Sequence, residues 1–260
     1  TANGQYGSGT VFKIDARGIT SVLHVFDGIT GGSPTAALTL AADGSLYGTT
    51  YAGGKQRFDT GIVYKIDPTG RFSVIHNFDF NTEGKTSSEL VIGQDGSLYG
   101  TTFTYGTGVA VDPSTIFKIT PSGQYRVVHR FNKSATEIPV GGLTVGPDGS
   151  LYGASQQGVL AKRGTVYKLT PEGQYKSIYQ FNLAYKGYPN TGVTLGQDGS
   201  LYGTTSSGGV FGFGTVFRIG VDGSHTILHH FDGVNGAQPF GVIFGKDGKL
   251  YGTVSSLITN

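Results

Sequence analysis

The chain has no cysteine, no methionine and no tryptophan, and only 14% of its residues are charged. Missing cysteine excludes disulfides, thiolate metal sites and a cysteine nucleophile, and leaves the redox compartment open. Nineteen basic residues against 17 acidic ones give a net charge of +2, too little for the phosphate-neutralising surface that nucleic acid requires, so no nucleic-acid partner is expected. No stretch approaches the roughly 18 consecutive apolar residues of a spanning helix, and membrane insertion is not expected. The opening residues TANGQYGSG hold neither the basic segment nor the apolar run of a signal peptide, and no Met begins the chain, so it reads as a processed or trimmed product. There is no G-x-S-x-G, no H-E-x-x-H, no P-loop and no complete G-x-G-x-x-G. The expectation is no cofactor, no metal and no recognised catalytic motif.

What the chain does have is 45 glycines and, as Tyr plus Phe, 15 and 16 aromatics, a composition suited to short strands and tight turns. Two phrases recur in register. GTVFKI at 9–14 returns as GIVYKI, STIFKI, GTVYKL and GTVFRI; DGSLYG begins at Asp43, Asp95, Asp148 and Asp198, with DGKLYG at Asp247. Steps of 52, 53, 50 and 49 residues separate those aspartates, so small insertions fall in loops while strands keep their spacing. Each unit reads as four antiparallel strands: an inner strand, a hairpin predicted as a two-residue type I′ turn at Asp43-Gly44, the LYG strand, the GTVFKI strand, and an outer strand such as SVLHVF.

Four such strands per unit make a propeller blade. The chain starts with third and fourth strands and finishes with first and second, so joining the ends completes one blade. The predicted fold is all-β, a five-bladed β-propeller in a single domain, 1–260, with units near 9–54, 55–107, 108–158, 159–209 and 210–260. Its closing blade combines about 9–27 with 240–256. An open solenoid is the alternative.

GTVFKI, then LHVFDG with Gly-Gly and Pro34, then DGSLYGTT followed by Tyr51-Ala52-Gly53-Gly54, resembles the tandem repeat called Gloeo_Verruco, or GloVer. The resemblance covers almost the whole chain. It implies a propeller in an extracytoplasmic bacterial protein of the kind that carries various surface anchors, and supplies no catalytic residues. The third repeat departs most, with Ser114 for Gly and Gly-Ala-Ser for Gly-Thr-Thr.

Residues present in every copy are expected to serve packing and turns. The aromatics Phe12, Tyr64, Phe117, Tyr167 and Phe217, and Tyr47, Tyr99, Tyr152, Tyr202 and Tyr251, are expected between blades. Gly48, Gly100, Gly153, Gly203 and Gly252 sit inside strands, where glycine marks a close approach. His24, His76, His129 and His229, with Tyr179 in phase, lie a blade apart, too far to share an ion, and are expected to pin neighbouring blades by hydrogen bonds. Asp43, Asp95, Asp148, Asp198 and Asp247 read as hairpin residues, and Asp27, Asp79, Asn132, Asn182 and Asp232 as turn caps. A ring of five equivalent ligand sites is the functional alternative. The recurring Lys13, Lys65, Lys118, Lys168 and Arg218 are expected to keep their charges in solvent. The sequon Asn132-Lys133-Ser134 is a weak signal.

Function is sought where the repeat breaks. Asp59, Glu83, Glu89, Asp112 and Glu137 are the acids outside hairpins and turns; Glu89 stands on an inner strand where other copies carry Ala37, Gly142, Gly192 and Gly241. A polysaccharide hydrolase or lyase would need two carboxylates roughly 5 to 9.5 Å apart, and Glu89 with Asp59 or Glu137 are the candidates. The loops after second and fourth strands emerge on one face and hold Tyr51, Arg57, Phe58, Phe103, Tyr105, Tyr185, Tyr188, Phe211, Phe213 and Phe240. Aromatics in Gly-rich loops suit sugar stacking or protein contact. The expected function is a secreted or cell-surface module that binds a glycan or a surface protein without chemistry. The alternatives are the polysaccharide-active enzyme and a structural module of an extracellular assembly; the oligomeric state stays open.

Overall fold

The structure, a computed structural model, describes residues 8–54, 60–79, 82–86, 88–104, 114–131, 137–157, 164–181 and 187–256. The chain falls into two compact units, Thr1–Arg130 and Phe131–Asn260. Its described regular elements are all strands, paired antiparallel, and no described helix is long and apolar enough to cross a membrane.

In the first unit β1 (Thr10–Ile14) and β2 (Thr20–Val25) form a two-stranded sheet. β3 (Thr39–Leu40), β4 (Leu46–Thr49), β5 (Ile62–Ile66) and β6 (Phe72–Asn77) make a four-stranded meander, as do β7 (Val91–Ile92), β8 (Leu98–Thr102), β9 (Thr115–Ile119) and β10 (Tyr125–Arg130). The second unit has two more meanders. One is β11 (Glu137–Val145), β12 (Leu151–Gln157), β13 (Gly164–Leu169) and β14 (Tyr175–Gln180); the other is β15 (Thr194–Leu195), β16 (Leu201–Thr205), β17 (Thr215–Ile219) and β18 (His225–His230). β19 (Ala237–Phe244) and β20 (Leu250–Ser256) form a separate two-stranded sheet.

The hairpin between first and second strands is three residues long, not two. Ala41 N donates to Ser45 O at 2.9 Å and Gly44 N to Ala41 O at 3.0 Å. Gly44 has φ +82°, while Asp43 is outside the positive-φ set. That is a type I turn closed by a left-handed glycine; a type I′ turn would need positive φ at both central residues. Aspartate fits because its carboxylate accepts from Ser45 N and Oγ, both at 2.9 Å.

Strand glycines and core aromatics are fitted to each other. Gly48 pairs across the ladder with Tyr64 and Gly153 with Tyr167. A Cβ on either glycine would lie 2.4 Å from the tyrosine Oη. Each ring therefore lies over the strand backbone that glycine leaves bare. The recurring Phe at the end of one outer strand meets the ring of the next sheet edge-on: Phe26–Tyr64 at 5.3 Å, Phe78–Phe117 at 5.2 Å, Phe181–Phe217 at 5.1 Å. These are the largest fully buried side chains, each worth about 1.5–3 kcal/mol of burial. The first residue of the next outer strand joins them, Tyr125 on Phe117 and Tyr175 on Tyr167. Near the inner edge, Thr39 Oγ1 donates to Leu90 O at 2.5 Å, and Thr144 and Thr194 donate likewise to Val193 O and Val242 O.

Three sequence expectations need correction. Of the second-strand tyrosines, Tyr47, Tyr99, Tyr152 and Tyr202 are half-buried and Tyr251 is exposed, because they lie beside the hairpin aspartate: Tyr99 Oη donates to Asp95 at 3.1 Å and Tyr202 Oη to Asp198 at 3.2 Å. Four of the five recurring cations, all but the exposed Lys13, are paired rather than left to solvent. Lys118 pairs with Asp95, Lys168 with Asp148 at 2.7 Å, and Arg218 with Asp198 at 2.9 Å, because the third-strand cation lies across the ladder from the second-strand tyrosine. The outer-strand histidines join sheets by ring stacking: His24 on Phe72 at 3.6 Å and His76 on Tyr125 at 3.9 Å, both nearly parallel, with Tyr179 on His225 at 4.4 Å.

Candidate functional site

The expected binding face is the end of each meander where the second strand leaves and the outer strand arrives. In the first unit, β4 runs into Tyr51 and β8 into Phe103. Lys85 is held against Phe103 by paired backbone bonds of 3.0 and 2.8 Å. This carries its ammonium over the Tyr51 ring, 4.7 Å from the centroid. Tyr51 and Phe103 stack with centroids 6.2 Å apart at 23°. Tyr51 is exposed and Phe103 half-buried. The second unit has Gln156 and Ser206 at the positions of Tyr51 and Phe103, so the aromatic platform belongs to the first two copies alone. It joins two candidates the sequence singled out and adds Lys85, which it missed; a lysine before a two-residue inner strand carried no motif.

The second unit also places aromatics in its loops. Phe211 and Phe240 are exposed, while Phe213 and Tyr188 are half-buried. Phe213 O accepts from Gln238 N at 2.9 Å, which ties its loop to β19. Arg57, Phe58, Asp59, Tyr105, Asp112 and Tyr185 lie outside the described residues.

The acids divide by their surroundings. Glu89 is exposed and lies two residues before its inner strand, β7, rather than on it. Glu137 is engaged: its Oε1 accepts from Ser155 Oγ at 2.6 Å and from Tyr175 Oη at 2.9 Å. Burial, and then Glu137, push the Tyr175 hydroxyl well above its ordinary range. Glu83 accepts from His76 Nε2 and from Asp79 N, both at 2.9 Å. Asp27 caps its turn through Ile29 N and Thr30 N at 2.9 and 2.7 Å. Among the described residues no three His, Asp or Glu side chains converge on a common point. Chemically, the described part offers a stacked aromatic pair with a cation, and carboxylates spent mostly on turns and hydroxyls.

Repeated antiparallel meanders joined by edge-to-face rings define an all-β repeat protein of β-propeller type. The sequence matches the Gloeobacter/Verrucomicrobia repeat over residues 1–182 and again over 103–260, and the chain belongs to that family. No curated protein matches it. Among solved structures it is similar to a streptogramin B lyase, with TM-score 0.62 and 17% identity over 96% of this chain and 70% of the other. It is also similar to a gluconolactonase from Xanthomonas campestris, with TM-score 0.56 and 14% identity over 94% and 75%. A third likeness is to the extracellular domain of a one-component system from B. thetaiotaomicron, with TM-score 0.60 and 11% identity over 86% and 26%. At these identities the likeness is one of fold.

Proposed function

We propose that the protein is a secreted or cell-surface five-bladed propeller that binds glycan at its loop end without chemistry. The observation that carries this reading is the Tyr51–Phe103 pair with Lys85 above it. A stacked ring pair is an apolar platform for the C–H face of a sugar, set at low entropy cost, and the ammonium beside it serves hydroxyl or acidic groups. The extracellular setting of one structural neighbour is in keeping with the location.

In the same reading the two terminal hairpins complete the fifth blade. Phe12 and Ile14 are 42% and 58% exposed, whereas their counterparts Tyr64 and Ile66 are 1% and 2% exposed. Core-type residues on an open face call for a cover, and β20 carries the LYG phrase that faces the GTVFKI phrase in every inner meander.

A glycan array probed with the wild-type chain and with Tyr51→Ala/Phe103→Ala tests the reading. Binding to a defined set of glycans that the double variant loses supports it. No glycan binding, or equal binding by the variant, overturns it, and retention of a surface-protein partner by both moves the function to another face.

A further inference from the structure

We infer a second ligand site at the opposite, turn end of the second unit, in the groove between the β11–β14 and β15–β18 meanders, for a carboxylate-bearing sugar such as a uronic acid residue. The groove holds about 340 Å³, inside the range of roughly 300–1,000 Å³ typical of small-molecule sites. Its lining runs from buried Leu201 and Ile219 to exposed Lys176 and Asp222.

A departure from the repeat and an exposed cation meet in this groove. The first is Gly220, which opens the turn after β17; the corresponding residues are Asp67, Thr120 and Thr170. Those side chains cap their turns, Asp67 accepting from Thr69 N and Arg71 N at 2.9 and 3.0 Å, and Thr120 from Gln124 N at 3.1 Å. In the Gly220 turn the role passes to Asp222, whose Oδ1 accepts from Ser224 N at 3.0 Å and Oγ at 2.6 Å. A carboxylate thus stands in the groove lining, and the place of a capping side chain is taken by Asp222 Oδ1 and Ser224 Oγ, which a Cβ at 220 would meet at 2.6 and 2.7 Å. The second is Lys176, where β6 and β18 carry Ser73 and Thr226 and β10 carries Arg126. Lys176 makes no hydrogen bond or ion pair among the described residues, whereas Lys168 is held on Asp148.

These groups sort by chemistry. The Lys176 ammonium meets a carboxylate with a charge-assisted bond. The Asp222 carboxylate accepts from hydroxyls, and Ile178 and Val221 give the apolar contact that a ring face requires. A neutral sugar lacks the first interaction and a simple carboxylate lacks the other two.

The test is calorimetric titration with digalacturonate, with galactobiose and acetate as controls, on the full chain and on Lys176→Ser, Gly220→Thr and Tyr51→Ala. The first two restore the residue types that other copies of the repeat use, and thermal melts confirm their folding. Saturable digalacturonate binding is expected, weaker by roughly tenfold or more in Lys176→Ser and Gly220→Thr and unchanged in Tyr51→Ala. Absence of saturable binding, equal binding of galactobiose or acetate, or wild-type affinity in both groove variants would overturn the site. Because Tyr51 belongs to the loop-end platform, failure there and failure here are read separately.

Discussion

The imidazole of His24 lies flat on the ring of Phe72, 3.6 Å between centroids and 2° from parallel. Among the described residues its buried Nε2 has no hydrogen-bond partner. Burial lowers the His24 pKa, with the Asp27 charge opposing, so the folded chain favours neutral imidazole. A base depressed in the folded state contributes stability above its unfolded pKa of about 6.5 and loses it as pH falls below that value. His24→Phe keeps the stack and removes the titration. Its melting temperature should fall less than that of wild type between pH 7 and 5; parallel curves would show that His24 does not titrate with folding.

The glycine–aromatic pairs predict a steric outcome. Gly153→Ala places a methyl 2.4 Å from Tyr167 Oη, with both partners buried. Overpacking of this kind costs about 1–3 kcal/mol. Denaturant unfolding should show that loss, and Gly153→Ala combined with Tyr167→Leu should recover part of it.

Asp148 anchors both a hairpin and a cross-strand cation. The Lys168 bond, helped by Ser150, holds its carboxyl down at about 2 against opposing burial. A depressed carboxylate stabilises the fold above its unfolded pKa of about 3.9 and loses that contribution as pH falls toward 2. Half of its side chain is exposed, so Asp148→Asn is expected to cost only about 1 kcal/mol at pH 7. The difference should vanish at pH 2; a difference that persists there would point to packing instead.

Glu137 is given a structural part by its two hydroxyl donors. Glu137→Ala leaves Ser155 and Tyr175 without their acceptor, at about 1–3 kcal/mol. Thermal unfolding measures the cost. An unchanged melting temperature, together with a polysaccharide-cleaving activity lost in the variant, would return Glu137 to a catalytic role.

Much of this was legible in the sequence because a repeat averages out local ambiguity. Asp43 and Gly44 marked a hairpin, and only its length was misread, since Asp-Gly also fits a type I turn with a left-handed glycine. Gly48 announced a close approach, and Tyr64 supplies it. The fate of Lys168 and the stacking of His76 were hidden because both depend on partners outside their own phrase, the hairpin Asp148 and the next meander's Tyr125. The platform was half legible: Tyr51 and Phe103 stood out as loop aromatics, but Lys85 reaches Tyr51 only through a backbone bridge to Phe103.

The proposed closure into a five-bladed ring is the central structural proposal, and a cross-strand disulfide tests it most directly. In the inner meanders Tyr47 faces Lys65 and Tyr152 faces Lys168; by the same register Tyr251 should face Lys13 in the completed blade. The chain has no native cysteine, so Lys13→Cys/Tyr251→Cys gives one possible intramolecular bond. Mild oxidation at low protein concentration should yield a crosslinked monomer with a higher melting temperature than the reduced form. Free thiols after oxidation, or crosslinks only between separate molecules, would contradict the ring.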